Sequence, residues 1–452
     1  MTTIDRSRLG SLLERERAEF VARNPRSHTA YKSSEHLFGR VPMTWMNKAA
    51  AGFPVYLATA RGARVTDIDG HEYVDLCLGD TGAMAGHSPA PTVAAVQRQF
   101  GELGGASAML PTEDAEWVGA ELSRRFGMAA WSFSLTATDA NRWVLRLVRA
   151  VTGRPKILFN SYCYHGSVDE SLIVVGADGE GVSREGNVGA PSAVTETSRV
   201  AEYNDLDGLE RQLAAGDVAA VLMEPALTNI GIVLPEPGYL EGVRELTRRF
   251  GVLLINDETH TFSAGPGGCT LAWGLQPDLV TIGKAIAGGI PAGAYGMSAE
   301  LADRLEQRTD LDLIDMGGVG GTLAGNALSI AAARATLEHV LTDDAFTGMT
   351  ALATRFTEGV QQVIDGQGLA WSITQLGARA EYRFVKPTPR NGTESHLAQD
   401  SDLDDYLHVY LANRSILLTP FHNMALMCPA TTAADVDAHH EVFAAAVQEL
   451  VG

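Results

Sequence analysis

Val252-Leu-Leu-Ile-Asn-Asp-Glu258 and, further along, Asp278-Leu-Val-Thr-Ile-Gly-Lys-Ala-Ile-Ala-Gly-Gly289 are two short apolar runs, each closed by an ionisable residue, Asp257 and Lys284. Runs of four or five β-branched and aliphatic residues bounded by glycine or charge read as strands buried on both faces of a parallel sheet. In open α/β sheets the carboxyl ends of such strands are the edge where ligands bind. A lysine flanked there by apolar residues is placed to become an amine nucleophile for a carbonyl. A carboxylate at the next strand end is placed to hold the proton of a pyridinium ring. Together they supply a Schiff-base lysine and an acidic partner for a ring nitrogen, which is what pyridoxal 5'-phosphate requires. Taken one at a time, either residue reads equally as half of a strand-end salt bridge.

The flanking sequence repeats the same grammar. Apolar runs at 156–160, 218–223, 252–256 and 279–282 alternate with helical stretches, which predicts a mostly parallel sheet with helices on both faces. Residues 53–78 read as strands around an Asp69-Gly70 turn, 1–36 as an amphipathic lead-in, and 176–198 as a polar, Gly-rich surface loop. An Ala-rich helix is expected near 324–341, a smaller α+β piece over 375–430, and a closing helix over Ala434–Leu450 begun by a Thr cap. Three divisions follow: 1–85, an N-terminal segment belonging to a small domain; 86–335, a large cofactor-binding domain; and 336–452, a C-terminal small domain.

Composition narrows the partners. With 452 residues, 45% apolar and 20% charged, the chain is expected to be soluble and globular with more than one subdomain. A net charge of −20 argues against nucleic acid, whose phosphates need clustered Lys and Arg. No apolar run is long enough to span a membrane, and the N-terminus carries no signal-peptide core, so a cytoplasmic location is expected. Cys77, Cys163, Cys269 and Cys428 lie far apart with no metal spacing; free thiols and no metal are expected.

Four more segments bear on the same sheet edge. Thr136-Ala-Thr-Asp-Ala-Asn141 is a small-residue turn at a helix start, where free N–H groups and the dipole favour a phosphate. Tyr164-His165-Gly166 follows the strand at 156–160 and offers an aromatic face. Glu224-Pro225 closes the strand at 218–223, and Gly320-Gly-Thr-Leu-Ala-Gly-Asn326 is a Gly-rich turn with a hydroxyl at Thr322.

This order of motifs, with Asp257-Glu-Thr and Gly283-Lys-Ala, resembles the class III aminotransferases, fold-type-I pyridoxal-phosphate enzymes, and within them the glutamate-1-semialdehyde aminomutase-like branch. The resemblance runs from about residue 38 to the C-terminus and includes Asp67-Ile-Asp-Gly70 and Gly86-His-Ser-Pro89. It implies an α/β fold with a large, mostly parallel-sheet domain and a smaller α+β domain. It also implies that Lys284 carries the cofactor and moves the substrate proton, and that Asp257 binds the ring nitrogen. Ala137 and Thr138 would hold the phosphate, with Tyr164 on one ring face and Thr259 on the other. Glu224 and Asn229 would belong to the surrounding polar network. Thr322 would reach the phosphate of a neighbouring subunit, making the active unit a homodimer.

Two departures stand out. The phosphate turn has Ala137 where the family usually has glycine, and Thr259-His260 replaces the usual apolar pair after the acid. His260 reads either as a second acid/base or as a satisfied, partly buried histidine. Where relatives place arginines for a substrate carboxylate, this chain has Gly39-Arg-Val-Pro-Met-Thr-Trp-Met46 and Pro420-Phe-His-Asn-Met424. Met43, Trp45 and Phe421 suggest an apolar pocket, with Arg40 nearby but out of register. The resulting expectation is a transaminase moving an amino group between a hydrophobic amine and an oxo acid. An aminomutase, epimerase or lyase is the alternative, and a non-catalytic cofactor-binding relative the remote one.

Overall fold

The computed structural model describes residues 2–308 and 318–452. The chain divides into two units: Ala90–Asp343 with Pro389–Leu397, and Met1–Pro89 with Asp344–Thr388 and Ala398–Gly452.

The first unit is built on a seven-stranded sheet. Its strands are β1 (Ala130–Ser134), β2 (Lys156–Asn160), β3 (Ser198–Ala201), β4 (Val218–Met223), β5 (Leu253–Asp257), β6 (Leu279–Ile282) and β7 (Gly293–Met297), in the spatial order β1-β7-β6-β5-β4-β2-β3. Neighbours from β6 through β3 pair in parallel, and β7 runs antiparallel to both of its neighbours. Every residue of β4 and β5 is buried, as expected of central strands covered on both faces. This is the mostly parallel α/β sheet that the alternating runs predict, and it agrees with the fold that the resemblance implies.

Helix α1 (Ala137–Thr152) follows β1. Thr136 caps it, its Oγ1 accepting from Asp139 N at 3.1 Å, and Gly153 ends it in the left-handed conformation. Its buried stripe of Ala140, Val144, Leu145, Leu147 and Val148 packs on the sheet. Helix α2 (Tyr239–Phe250) leads through a left-handed Gly251 into β5.

Some elements lack a readable period. Within Ala130–Ser134 and Gly293–Met297, small and polar residues interrupt the apolar run, and the pairing sets their place instead. At Gly296 a Cβ would lie 2.6 Å from the Trp131 ring, so the indole takes the room of a missing side chain. The stretch 176–198, read as a surface loop, contains a strand, Gly181–Ser183, that pairs with Ile173–Val175 just before it, and the short helix Val194–Thr197.

The second unit holds the hairpin Arg64–Asp67 and Glu72–Asp75 around Asp69-Gly70, with Ile416–Leu417 added in parallel. A separate antiparallel sheet joins Ser372–Leu376, Arg379–Arg383 and Met424–Leu426. The last helix, Ala433–Val451, begins with a capping box of Thr432 and Asp435. Asp69 reaches back to the lead-in, accepting from Arg26 N and Ser27 N at 2.7 and 2.9 Å.

Candidate active site

Strands β5 and β6 bring the two charged strand ends together. Asp257, the last residue of β5, stands opposite Thr281 of β6, three positions before Lys284. Asp257 is buried and its carboxylate is held from three sides. Oδ2 accepts from Asn141 Nδ2 and from His165 Nδ1, both at 2.8 Å, and Oδ1 accepts from Thr259 N at 3.0 Å. Burial alone pushes a carboxyl upward; the His165, Thr259 and Asn141 contacts outweigh it and hold Asp257 below the usual aspartate range. His165 is likewise driven down by burial, yet Cys163 and the Asp257 carboxylate raise it well above the ordinary histidine value. The two form a buried pair, Nδ1 to Oδ2, whose shifts favour the charged form of each.

Asn141 is fixed in turn, donating also to His165 O at 3.1 Å and accepting from Thr281 Oγ1 at 2.7 Å. It lies one turn into α1, which places the aspartate network against the helix that begins at Ala137 and Thr138. Two glycines set that approach. Gly166 has φ +80°, and a Cβ there would fall 1.9 Å from Thr138 Oγ1; a Cβ on Gly283 would meet Ala137 at 3.0 Å. Only bare backbone lets the 164–166 loop and the end of β6 close on the start of α1. An anion-binding helix start, a buried ionised carboxylate and a lysine around one sheet edge fit a phosphorylated pyridine aldehyde.

Lys284 is half-buried and opens the 3₁₀ turn Lys284–Ala287 with φ +49°. The left-handed region is costly for a residue with a Cβ, and such strain concentrates at functional sites. Its Nζ is hydrogen-bonded to His260 Nε2. His260 Nδ1 meets Thr228 Oγ1 at 2.9 Å, and that hydroxyl donates to Glu224 Oε2 at 2.5 Å. Glu224 Oε1 accepts from Tyr164 N at 3.1 Å. Glu224 is buried, and burial raises its carboxyl above the ordinary value despite the Thr228 and Tyr164 bonds.

Tyr164 is partly exposed and Thr259 buried, its hydroxyl beside Asp257 without a well-formed hydrogen bond. Asn229, half-buried, takes part in none of the bonds just described; its neighbour Thr228 does. Thr322 is exposed, in a cleft with Ser107, Met109 and Leu110. His165, Asn141 and Thr228 are site residues that the sequence does not single out. His165 stands in the Tyr-His-Gly motif, where the aromatic residue carries the stronger signal, and no local pattern marks a threonine in a turn.

The residues expected at the substrate lie in the other unit. Trp45 and Phe421 meet edge to face with ring centroids 6.1 Å apart, and Met43 and Trp45 are exposed. Arg40 donates to Lys32 O at 3.2 Å and lies over the Tyr31 ring.

The model of the class III aminotransferase family matches residues 45–444. Glutamate-1-semialdehyde 2,1-aminomutase of Desulfitobacterium hafniense is 34% identical over 399 residues, covering 86% of this chain and 90% of its own length. The enzyme of that name from Chloroflexus aggregans is 33% identical over 404 residues with the same coverage. Among solved structures, a lysine-to-alanine variant of a glutamate-1-semialdehyde aminomutase from Pseudomonas aeruginosa, in complex with PMP, superposes with TM-score 0.96 at 47% identity, covering 99% of each chain. An omega-transaminase from Sphaerobacter thermophilus superposes with TM-score 0.85 at 29% identity, covering 96% of this chain and all of its own.

These likenesses overturn the expected reaction. The transaminase working between a hydrophobic amine and an oxo acid gives way to the alternative, an aminomutase. The error has a physical root. Residues that hold this cofactor are common to both reactions, so they do not report which one follows. The apolar side chains that tipped the reading include two that are exposed rather than walls of a closed pocket.

Proposed function

The chain belongs to the class III aminotransferase family, whose cofactor is pyridoxal 5'-phosphate, and we propose that it is an intramolecular aminomutase of the glutamate-1-semialdehyde type. Bound, the cofactor supplies an electron sink that makes a proton on the carbon bearing nitrogen removable. The protein's residues do the rest. The N–H groups of Ala137 and Thr138 bind the phosphate at the positive end of α1. Asp257, kept ionised by His165 and Asn141, holds a proton on the ring nitrogen. Lys284 tethers the cofactor and then, as an unprotonated amine, takes and returns the substrate proton. Tyr164 covers one ring face and Thr259 the other, while Glu224 and Asn229 complete the polar surround.

We propose further that the unit of function is a cytoplasmic homodimer in which Thr322 completes the partner's phosphate site. Supporting this, Phe100, Leu103, Met109, Leu110 and Leu323 are all exposed on the unit that carries Thr322, apolar side chains that a second copy would cover. No helix among the described residues is long and apolar enough to cross a membrane, and none of the four cysteines is in a disulfide.

The observation that carries the reading is the likeness to aminomutases over most of the chain; the buried His165–Asp257 pair and Lys284 support the cofactor that both reactions share. The test is to give the holoenzyme glutamate 1-semialdehyde as sole substrate. The expected product is the isomer with nitrogen on C1 and the oxo group on C2, formed without any oxo-acid acceptor. Turnover that depends strictly on an added oxo acid would overturn the reading.

A further inference from the structure

The loop after β5 is fastened more tightly than a surface connection needs. Buried Glu258 accepts from Thr261 Oγ1 and Thr270 Oγ1 at 2.5 Å each, and from Cys269 N at 3.0 Å. Phe262 N bonds back to Glu258 O at 2.8 Å. The residue this clamp presents is His260, itself buried.

The hydrogen bonds around His260 have a direction. The Thr228 hydroxyl donates to Glu224, leaving the Thr228 oxygen to accept from His260 Nδ1. The imidazole is thereby fixed with its proton on Nδ1 and a lone pair on Nε2, the atom that meets Lys284 Nζ. A base oriented by a hydroxyl that is oriented by a carboxylate follows the logic of an activated nucleophile.

We propose that His260 is the proton partner of Lys284: Nε2 takes a proton from the lysine ammonium and returns it, while Thr228 and Glu224 fix the tautomer and balance the charge the ring acquires. The step moves one proton and nothing else, converting ammonium and neutral imidazole into neutral amine and imidazolium. Other titratable groups near Glu224 are His165 and Asp257, already committed to each other. An amino group that migrates between two carbons needs the lysine recharged and discharged in one reaction, and a second station beside it avoids waiting for solvent.

The proposal rests on Lys284 being the cofactor lysine. Its test is the rate at which full-length protein stripped of cofactor captures pyridoxal phosphate, read from the rise of visible absorbance across a pH series. In His260→Gln, which keeps a hydrogen bond but carries no proton, capture at neutral pH should be about tenfold slower, with the profile moved up by about one pH unit. Thr228→Val should shift it the same way by less. Unchanged melting temperature and unchanged affinity for pyridoxamine phosphate, which needs no lysine bond, establish that the site is intact. A His260→Gln profile that overlays wild type overturns the proposal; if that variant does not fold, an unchanged Thr228→Val profile does so. Lys284→Ala separates the premise: a visible band that still forms there refutes the lysine assignment, not the relay.

Discussion

His165 Nδ1 and Asp257 Oδ2 lie 2.8 Å apart with both side chains buried, and their titrations move in opposite directions, the acid down and the base up. The pair favours an ionised carboxylate at the end of β5. Asp257→Asn should therefore retain cofactor through the α1 phosphate turn yet slow substrate proton removal by about 10²-fold or more, the scale seen when a preorganised electrostatic group is removed. Single-turnover kinetics with the semialdehyde check this, and a wild-type rate would contradict the role of Asp257.

Lys284→Ala should lose the visible band of lysine-bound cofactor and about 10³-fold or more in turnover, since both tether and base go. Spectra and steady-state rates on the same preparation decide it.

Gly166→Ala tests the cradle. The new Cβ would collide with Thr138 Oγ1 in a backbone conformation that disfavours side chains. The cofactor dissociation constant should rise about tenfold or more, a loss of about 1.4 kcal/mol, measured by equilibrium dialysis, and the strain should also lower the melting temperature of the stripped protein.

Mixed dimers probe sharing of the site. Lys284→Ala and Thr322→Ala chains, mixed and re-formed, should contain one site with both lesions and one with neither. About half the wild-type activity per mixed dimer is expected. A fully active monomer in light scattering would end the homodimer proposal.

Two buried histidines in the second unit predict acid lability. His439, whose ring nitrogens have no hydrogen-bond partner, packs between Phe356 and Phe443 and is pushed by burial from 6.5 to about 3. His408 is pushed by burial from 6.5 to about 4. The unfolded chain protonates these rings first, so stability is undiminished above 6.5 and falls as pH drops through the window down to 3 or 4. Each ring contributes a slope approaching about 1.4 kcal/mol per pH unit. Urea midpoints over this range should show it, and His439→Leu should flatten the slope.

Much of this was legible in the chain because buried parallel strands advertise themselves as apolar runs. Leu253–Asp257 and Leu279–Ile282 fall within a residue or two of their expected places, and both strand-end charges were visible. The strands at 130–134, 198–201 and 293–297 were not, since their identity comes from partners across the sheet, as the Trp131–Gly296 contact illustrates. Within the site, residues acting directly on a cofactor stood out by chemistry and position. Those that steady them, Asn141, His165 and Thr228, are defined by distances between segments far apart in sequence. The reaction itself was misjudged because side-chain type near 43–46 and 421 says little about exposure.

The contact between Gly283 and Ala137 has an implication for redesign. The backbone that carries the lysine abuts the backbone proposed to seat the phosphate, so on that proposal the gauge between the cofactor's two anchor points is set at one junction. Loops elsewhere can be lengthened, recoloured or exchanged without changing that gauge. Engineering that keeps the cofactor therefore has almost no latitude at position 283.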